Sequence, residues 1–304
     1  KALGIQAALA EAQPDSIEYL SDMGLSYNNL GTFLGHGGHD AEAIGAYHQA
    51  VEIRRRLLRK APSLVQFRSD LAVSCSNLGR ACSEMGNHQQ AREPLGEAIA
   101  LFGQLVADYP EELNHRSCLG GAQNNLAMAF RHLGDLDEAE SNFRQAVEHQ
   151  QFAFDRAPGV ARFRQFLSNH YRNLGDLLRQ QGRVDEVIEI ALARKQLWPG
   201  DPERLFSVAV ELAEAASAET GGEGSEIEPA PSARQDAVLV TLREAVEAGF
   251  SDSNRMLEEP AFILVRGHPQ FAALLARLGA GGQSKPPQET PRQTANRQQP
   301  QATS

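Results

Sequence analysis

Asn28-Asn29-Leu30-Gly31 is a tetrapeptide that the chain repeats, with small changes, every 48 residues, as from Asn29 to Asn77. Each copy has Leu in third place, followed by a small residue, and nothing is inserted between copies. The other copies are Ser76-Asn77-Leu78-Gly79, Asn124-Asn125-Leu126-Ala127 and Arg172-Asn173-Leu174-Gly175. A fixed period of this size is typical of solenoids, in which one two-helix unit stacks on the next.

Other residue types keep the same register. Proline lacks an N–H, so each repeated proline is expected to end one helix and open the next. Glycine easily adopts the left-handed conformation of a turn, and small residues let two helices cross closely. The repeated positions are Pro14, Pro62, Pro110 and Pro158; Gly38, Gly86, Gly134 and Gly182; Ala2, Ala50, Ala98 and Ala146; Ala43, Ala91 and Ala139; and the bulky Tyr47, Leu95 and Phe143.

These patterns predict that each unit is a helix A, a short turn at the glycine, and a helix B. In the second unit we expect helix A at about residues 63–84, where Leu71, Cys75 and Leu78 follow helical spacing, and helix B at about residues 88–108. The predicted fold class is therefore all-α, an α-solenoid of antiparallel helix pairs.

The order of these residues over about residues 1–200 resembles the tetratricopeptide repeat family. The positions that match its motif in the first unit are Tyr27, Leu30, Gly31, Gly38, Ala43, Tyr47, Ala50 and Pro62. The resemblance implies a right-handed superhelix whose concave groove, lined by the A helices, binds partner proteins. The family's usual repeat has about 34 residues, so both helices are expected to be longer by roughly two turns.

The long repeat with Asn-Asn-Leu-Gly also resembles arrays that follow the catalytic domain of serine/threonine protein kinases in planctomycete-type bacteria. This second resemblance implies an alternative function, a regulatory or substrate-recruiting C-terminal arm of a larger kinase whose catalytic domain is not in this chain. The kinase motifs themselves are absent here, as are a nucleophile elbow and a P-loop, so we expect no enzymatic activity from this chain.

The register divides the chain into consecutive segments. The fourth repeat is expected to be short, because Trp198-Pro199 interrupts its helix B. A stretch rich in Gly, Glu and Pro predicts a mobile loop, and one rich in Gln, Pro and Thr predicts a disordered tail. The predicted segments are the end of a truncated preceding repeat at 1–14; repeats at 15–62, 63–110, 111–158 and 159–200; a degenerate fifth helix pair at 201–250 with the loop 220–232; a C-terminal cap at 251–279, containing Phe262, Phe271, Leu274 and Leu275; and the tail 280–304.

Composition narrows the function further. A net charge of -10 argues against non-specific binding of nucleic acid, which requires basic surface. The longest apolar runs are shorter than the roughly 18 residues of a membrane span. Cys75, Cys82 and Cys118 lack metal-ligand spacing, so we expect buried thiols in a reducing, cytoplasmic setting, and no cofactor. His36 and His39 flank a glycine turn without a third ligand nearby, which favours a turn over a metal site.

The repeated asparagines are the candidate binding residues. An Asn next to the packing Leu points about 100° away from it on a helix, away from the deepest core. The resemblance to the tetratricopeptide repeat family implies that this side lines the concave groove. There it could bond an extended peptide, or instead a neighbouring helix. Arginines nearby favour an acidic or carboxylate-ended peptide, unless they are a solvated face. The predicted groove residues are Asn28, Asn29, Asn77, Arg80, Asn124, Asn125, Arg131, Arg172, Asn173 and Arg179.

The sequence thus favours a protein-interaction scaffold that binds a protein or peptide partner. The kinase-arm alternative stays open, as does self-association through the N-terminal edge of the solenoid. The oligomeric state and the identity of the partner do not follow from the sequence.

Overall fold

The computed structural model describes residue 13 and residues 16–217 and 233–281, and all regular structure within them is helical. In these ranges ten helices form five consecutive pairs, and a short cap follows. The pairs are α1 (Ile17–His36) with α2 (Asp40–Lys60), α3 (Val65–Glu84) with α4 (His88–Asp108), α5 (Leu113–Leu133) with α6 (Leu136–Arg156), α7 (Ala161–Gln180) with α8 (Val184–Lys195), and α9 (Pro202–Ser217) with α10 (Ala233–Glu247). The cap consists of α11 (Ser253–Glu258), a 3₁₀ helix (Pro260–Leu264) and α12 (Pro269–Gly281).

Neighbouring helices stack in chain order. The two helices of each pair pack on each other, and the second helix of one pair packs on the first helix of the next. First helices also touch each other, α3 against α5 and α5 against α7. We call α1, α3, α5, α7 and α9 the A helices, and α2, α4, α6, α8 and α10 the B helices. The predicted all-α solenoid is confirmed.

The turn inside each of the first four pairs has the same backbone geometry. Its glycine has a positive φ, between +74° and +88°, which L-residues with a Cβ rarely adopt. After the second A helix, the Asn87 N–H donates to the Cys82 carbonyl at 2.9 Å, which is the Schellman closure of a helix end. The four glycines are Gly38, Gly86, Gly134 and Gly182, as the register predicted.

The prolines end helices but do not open the next ones. Pro62 follows the C-cap residue of α2, and α3 begins only at Val65. Pro110 and Pro158 occupy the same place after α4 and α6. The expectation that these prolines start the following helix was wrong, because the connection between pairs is an extended turn that needs several residues.

Packing within a pair depends on a bulky residue on the B helix that faces a small one on the A helix. Tyr47, Leu95 and Phe143 are buried, and a Cβ added at Gly79 would lie 2.4 Å from Leu95 Cγ. The fourth pair differs, since a Cβ at Gly175 would meet Ile190 at an ordinary 3.7 Å. The close approach of the A and B helices therefore requires glycine at position 79 in the second pair, but not at position 175 in the fourth pair.

The fourth pair exchanges its large and small core positions. Ala191 stands where earlier units have a bulky residue, and Arg194 stands where they have Ala50, Ala98 or Ala146. Arg194 is fully buried, donates to Ser168 Oγ at 3.0 Å and forms an ion pair with Glu211. Because a buried guanidinium must be compensated, the exchange links α8 to both α7 and α9.

The cap covers the apolar end of the fifth pair. Phe262 and Phe271 are buried in one cluster with Phe206 of α9 and Leu242 of α10, and Leu274 and Leu275 pack against the same cluster. The rings of Phe206 and Phe262 meet edge to face, with centroids 5.6 Å apart. This arrangement hides side chains that the last pair would otherwise expose to water.

Some predictions fall on residues that the structure does not describe. These are the truncated repeat at 1–14, apart from residue 13, the loop 220–232, and the tail from residue 282 onward. The division into repeats stays a prediction, although the bounds of α3 and α4 lie within two residues of those expected. Within the described ranges, no helix is long and apolar enough to cross a membrane.

The three cysteines are not all buried. Cys75 and Cys82 lie in the core of the second pair, where burial raises the pKa of both thiols. Cys118 is exposed, so the prediction of three buried thiols was wrong for this residue.

Candidate binding cleft

Two amide bridges join successive A helices through the repeated asparagines. Asn77 Nδ2 donates to Asn28 Oδ1 at 3.1 Å, and Asn173 Nδ2 donates to Asn124 Oδ1 at 2.9 Å. The first asparagine of each bridge is buried, with 9% of Asn28 and 8% of Asn124 exposed. Asn77 and Asn173, which belong to the series that precedes the packing Leu, therefore bond a neighbouring helix, which was the structural alternative for that series.

The first bridge belongs to a longer buried network. Ser74 Oγ also donates to Asn28 Oδ1 at 3.1 Å, and it accepts a bond from Arg54 Nη1 at 2.5 Å. Arg54 donates further to the backbone carbonyl of Asp70 at 2.7 Å. Since each of these buried polar groups has a partner, the network holds α1, α2 and α3 in one arrangement.

Half of the predicted groove residues line one cleft on the A helices. The cleft has a volume of about 560 Å³ and lies across α3, α5 and α7. Its predicted members are Arg80, Asn124, Asn125, Arg172 and Asn173. We call this space the A-helix cleft. The other predicted residues, namely Asn28, Asn29, Asn77, Arg131 and Arg179, do not line it.

Sequence reasoning missed four further lining residues, which are Gly121, Phe166, Asn169 and His170. The signal was present in the register, since Gly121 stands where earlier units have Leu25 and Val73. A Cβ at Gly121 would meet nothing within 4 Å, so this glycine leaves open space rather than allowing a close crossing. Phe166 gives the cleft an apolar wall, being 39% exposed.

His170 is the one buried imidazole in this wall. Only 4% of it is exposed, and neither ring nitrogen has a hydrogen-bond partner in the described part of the chain. Burial lowers the pKa of His170 to about 4, so the ring is neutral near pH 7. It therefore adds a polar but uncharged surface to the cleft.

The arginines of the predicted groove already have partners within the chain. Arg80 binds both oxygens of Glu84 at 2.7 Å, and Arg172 Nε lies 3.6 Å from Glu211. Arg179 pairs with Asp176 and Glu214 outside the cleft. Arg131 bonds Gln180 at 3.1 Å, which joins α5 to α7. Only Arg80 and Arg172 therefore face the A-helix cleft, each with an intramolecular carboxylate nearby.

Asn125 has the most available amide in the cleft. Its side chain is half-buried and forms no hydrogen bond within the described ranges, whereas Asn124 beside it is bonded to Asn173. Asn169 accepts a bond from Gln165 at 3.0 Å and keeps its own amide hydrogens. The cleft thus offers amide donors and acceptors, two guanidinium groups and one aromatic wall. No group of three His, Cys, Asp or Glu side chains suited to a metal occurs among the described residues.

Comparisons with known proteins agree with this architecture. Models described as tetratricopeptide repeat match residues 24–59, 71–106 and 119–192, so the chain contains repeats of this kind. No curated protein matches the sequence. A crystal structure of a putative kinesin light chain from Podosopora anserina, with nearly identical TPR-like repeats, is 22% identical, with a TM-score of 0.51, over 73% of this chain and 93% of that one.

A second similar structure is that of BtubC from P. vanneervenii. It is 17% identical over 99% of this chain and 94% of that chain, with a TM-score of 0.46. Identities this low concern the fold alone. Tetratricopeptide repeats generally form scaffolds for protein–protein interaction.

Proposed function

We propose that the chain is an interaction scaffold that binds an extended peptide of a partner protein in the A-helix cleft. The observation that carries this proposal is the convergence of Arg80, Asn125 and Arg172 from three successive A helices on one space of about 560 Å³. An extended peptide presents backbone N–H and C=O groups, which match the side-chain amide of Asn125 in both directions. Phe166 supplies apolar contact for a side chain.

The charges of the cleft favour a peptide with an acidic side chain or a free terminal carboxylate. Arg80 and Glu84 form an exposed pair four residues apart, and such pairs contribute only about 0.3–0.5 kcal/mol. A ligand carboxylate can therefore compete with Glu84 for Arg80 at little cost. Arg172 and Glu211 are 3.6 Å apart, which leaves Arg172 donors for a ligand. Neutral His170 does not repel either kind of peptide.

The proposal is tested with octapeptide libraries that carry either a free or an amidated C-terminus. We expect the variant Asn125→Ala plus Arg172→Gln to bind selected peptides at least about tenfold more weakly, the equivalent of 1.4 kcal/mol. Asn29→Ala is the matched control, because Asn29 holds the same place in the repeat but is exposed outside the cleft. Fluorescence polarisation gives the affinities, and circular dichroism checks the fold. Equal affinities for the two variants would refute the cleft as the binding site.

The regulatory arm of a serine/threonine kinase, which the second resemblance implies, stays a prediction. A scaffold of this kind could recruit substrates to a catalytic domain, so that prediction is compatible with peptide binding in the cleft. Sequencing the coding region on both sides of this chain tests it directly.

A further inference from the structure

Two aromatic rings near the ends of B helices are each contacted by two arginines. The Cζ atoms of Arg116 and Arg156 lie 3.7 and 3.6 Å from the centroid of the Phe152 ring. One unit further on, Arg164 and Arg204 lie 5.1 and 4.8 Å from the ring of Trp198. We call these two groups the arginine–aromatic stacks. The first lies within the third pair, at the start of α5 and the end of α6, and the second joins the start of α7 to the connection after α8 and to the start of α9.

The repeat register shows which residues occupy the places of these arginines in the other units. Arg68, Arg116 and Arg164 occupy the same place in three successive A helices. In the second unit Arg68 forms an ion pair with Asp108 at 2.5 Å. The place of Asp108 is taken by Arg156 in the third unit and by Arg204 in the next. The first unit has Lys60 at this place, so Asp108 is the one acid of the four, and in the two later units both arginines contact an aromatic ring.

The four cations have no carboxylate partner in the described part of the chain. The acids nearest in sequence have other partners. Asp155 accepts a bond from Gln151 at 2.6 Å, Glu203 pairs with Arg255 at 2.7 Å, and Asp201 caps the backbone N–H of Arg204 at 3.0 Å. Arg204 bonds only the neutral Gln165, at 3.1 Å. The Nε atoms of Arg116 and Arg164 are buried without any hydrogen bond. In a protein with a net charge of -10, such a concentration of uncompensated cations requires an explanation.

Stacking controls what these arginines can bind. A guanidinium 3.6–3.7 Å above the centroid fills that face of a ring, so Arg116 and Arg156 must lie on opposite faces of Phe152. The ring fixes the planes of the guanidinium groups. Arg156 is exposed and can bond an oxyanion through its N–H groups, whereas Arg116 and Arg164, whose Nε atoms are buried, can do so only through their terminal Nη groups. Fixing long side chains in advance also reduces the entropy lost on binding.

We propose that the two arginine–aromatic stacks form a second docking surface, separate from the A-helix cleft, for an acidic segment of a partner protein. Two stacks in successive units suit a chain with several carboxylates rather than one small anion. Single-stranded nucleic acid is disfavoured, because its bases stack on open aromatic faces and both faces of Phe152 are covered. The acidic surface of the remaining chain would also repel a long polyanion.

The test uses the full chain and a fluorescein-labelled octaglutamate peptide, followed by fluorescence polarisation at low and high salt. The variant Arg156→Asp plus Arg204→Asp recreates in both units the Arg–Asp arrangement of Arg68 and Asp108. We expect it to bind at least about tenfold more weakly, because two neutralised cations and two added acids oppose the peptide. Arg156→Gln plus Arg204→Gln removes charge without adding any, and we expect a smaller loss.

The matched control is Arg243→Asp plus Arg277→Asp, which makes the same change in net charge on α10 and α12. We expect its affinity to stay within about twofold of that of the original chain, since exposed charges far from the ligand are screened by salt. Circular dichroism and thermal melting must show the same fold for all variants. The proposal would be overturned if the control lost as much affinity as the stack variants, or if both stack variants bound the peptide as well as the original chain does. Tighter binding of polyuridylate than of octaglutamate would also overturn it. Loss of octaglutamate binding only in the variant Asn125→Ala plus Arg172→Gln would assign the peptide to the cleft and would also overturn it.

Discussion

At the scale of single residues, His170 links protonation to the stability of the fold. Its pKa is about 4 in the folded chain, against an ordinary value of 6.5. Below pH 6.5 the unfolded chain therefore binds a proton at this residue that the folded chain does not bind. We expect the free energy of unfolding to fall as pH decreases from about 6.5 to 4, by up to about 3 kcal/mol from this residue. No further loss is expected below pH 4, and none arises above 6.5.

Urea unfolding at several pH values measures this effect when the original chain is compared with His170→Gln. Glutamine retains polar atoms but does not titrate in this range, and carboxylates and other histidines contribute equally to both proteins. The difference in unfolding free energy should therefore shift in favour of the variant as the pH falls. A constant difference between pH 7 and pH 4 would show that His170 is protonated as readily in the folded chain as in the unfolded chain.

The asparagines show what the sequence could and could not predict at this scale. Their recurrence predicted a shared role, but left binding and structural bonding open. The bridges join Asn28 to Asn77 and Asn124 to Asn173, each one residue off the 48-residue register. That offset depends on the angle between successive A helices, which no single repeat encodes. The carboxylate beside Arg172 escaped prediction for the same reason, because Glu211 belongs to the next unit.

At the scale of helices, Gly79 and Gly175 occupy the same repeat position, but only Gly79 has no room for a larger side chain. We expect Gly79→Ala to destabilise the fold by about 1–3 kcal/mol, because its Cβ would lie 2.4 Å from Leu95 Cγ and 3.1 Å from the Ala91 carbonyl. Gly175→Ala is the matched control, since its Cβ would meet Ile190 at 3.7 Å. That substitution should stabilise α7 by about 0.5–1 kcal/mol, as alanine favours helix. Thermal and urea unfolding give both values, and a destabilised Gly175→Ala would contradict this account.

Helix positions were more predictable than helix contacts. The apolar spacing and the glycine turns predicted a helix at residues 88–108, and α4 has these ends. The prolines were misjudged, because a proline signals where a helix stops but not how many residues precede the next one. The exchange of Ala191 and Arg194 was visible as a departure from the register. Its meaning depended on the approach of Glu211 from the following pair, which is a tertiary contact.

At the scale of the whole molecule, each helix pair contacts little beyond its neighbours. Stability in such a stack is a sum of local terms, so damage at one end need not reach the other. The buried clusters follow this arrangement, with one centred on α3 and α4 and another on α9, α10 and the cap. A third cluster joins residues of α5, α6, α7 and α8, and α5 and α7 are two of the three helices that line the A-helix cleft.

The cap therefore offers a test of how far unfolding spreads. Phe262 is fully buried between the cap and α9, and we expect Phe262→Ala to cost about 3–5 kcal/mol locally. Hydrogen exchange should accelerate in α9, α10 and α12, while α3 and α4 keep their protection, because the lost contacts are confined to the last pair. Phe33→Ala serves as the control, since Phe33 is 75% exposed and its truncation should leave exchange unchanged. If exchange instead rose evenly along the chain, the molecule would unfold as a single cooperative unit, and the cleft could not stay formed after the cap had opened.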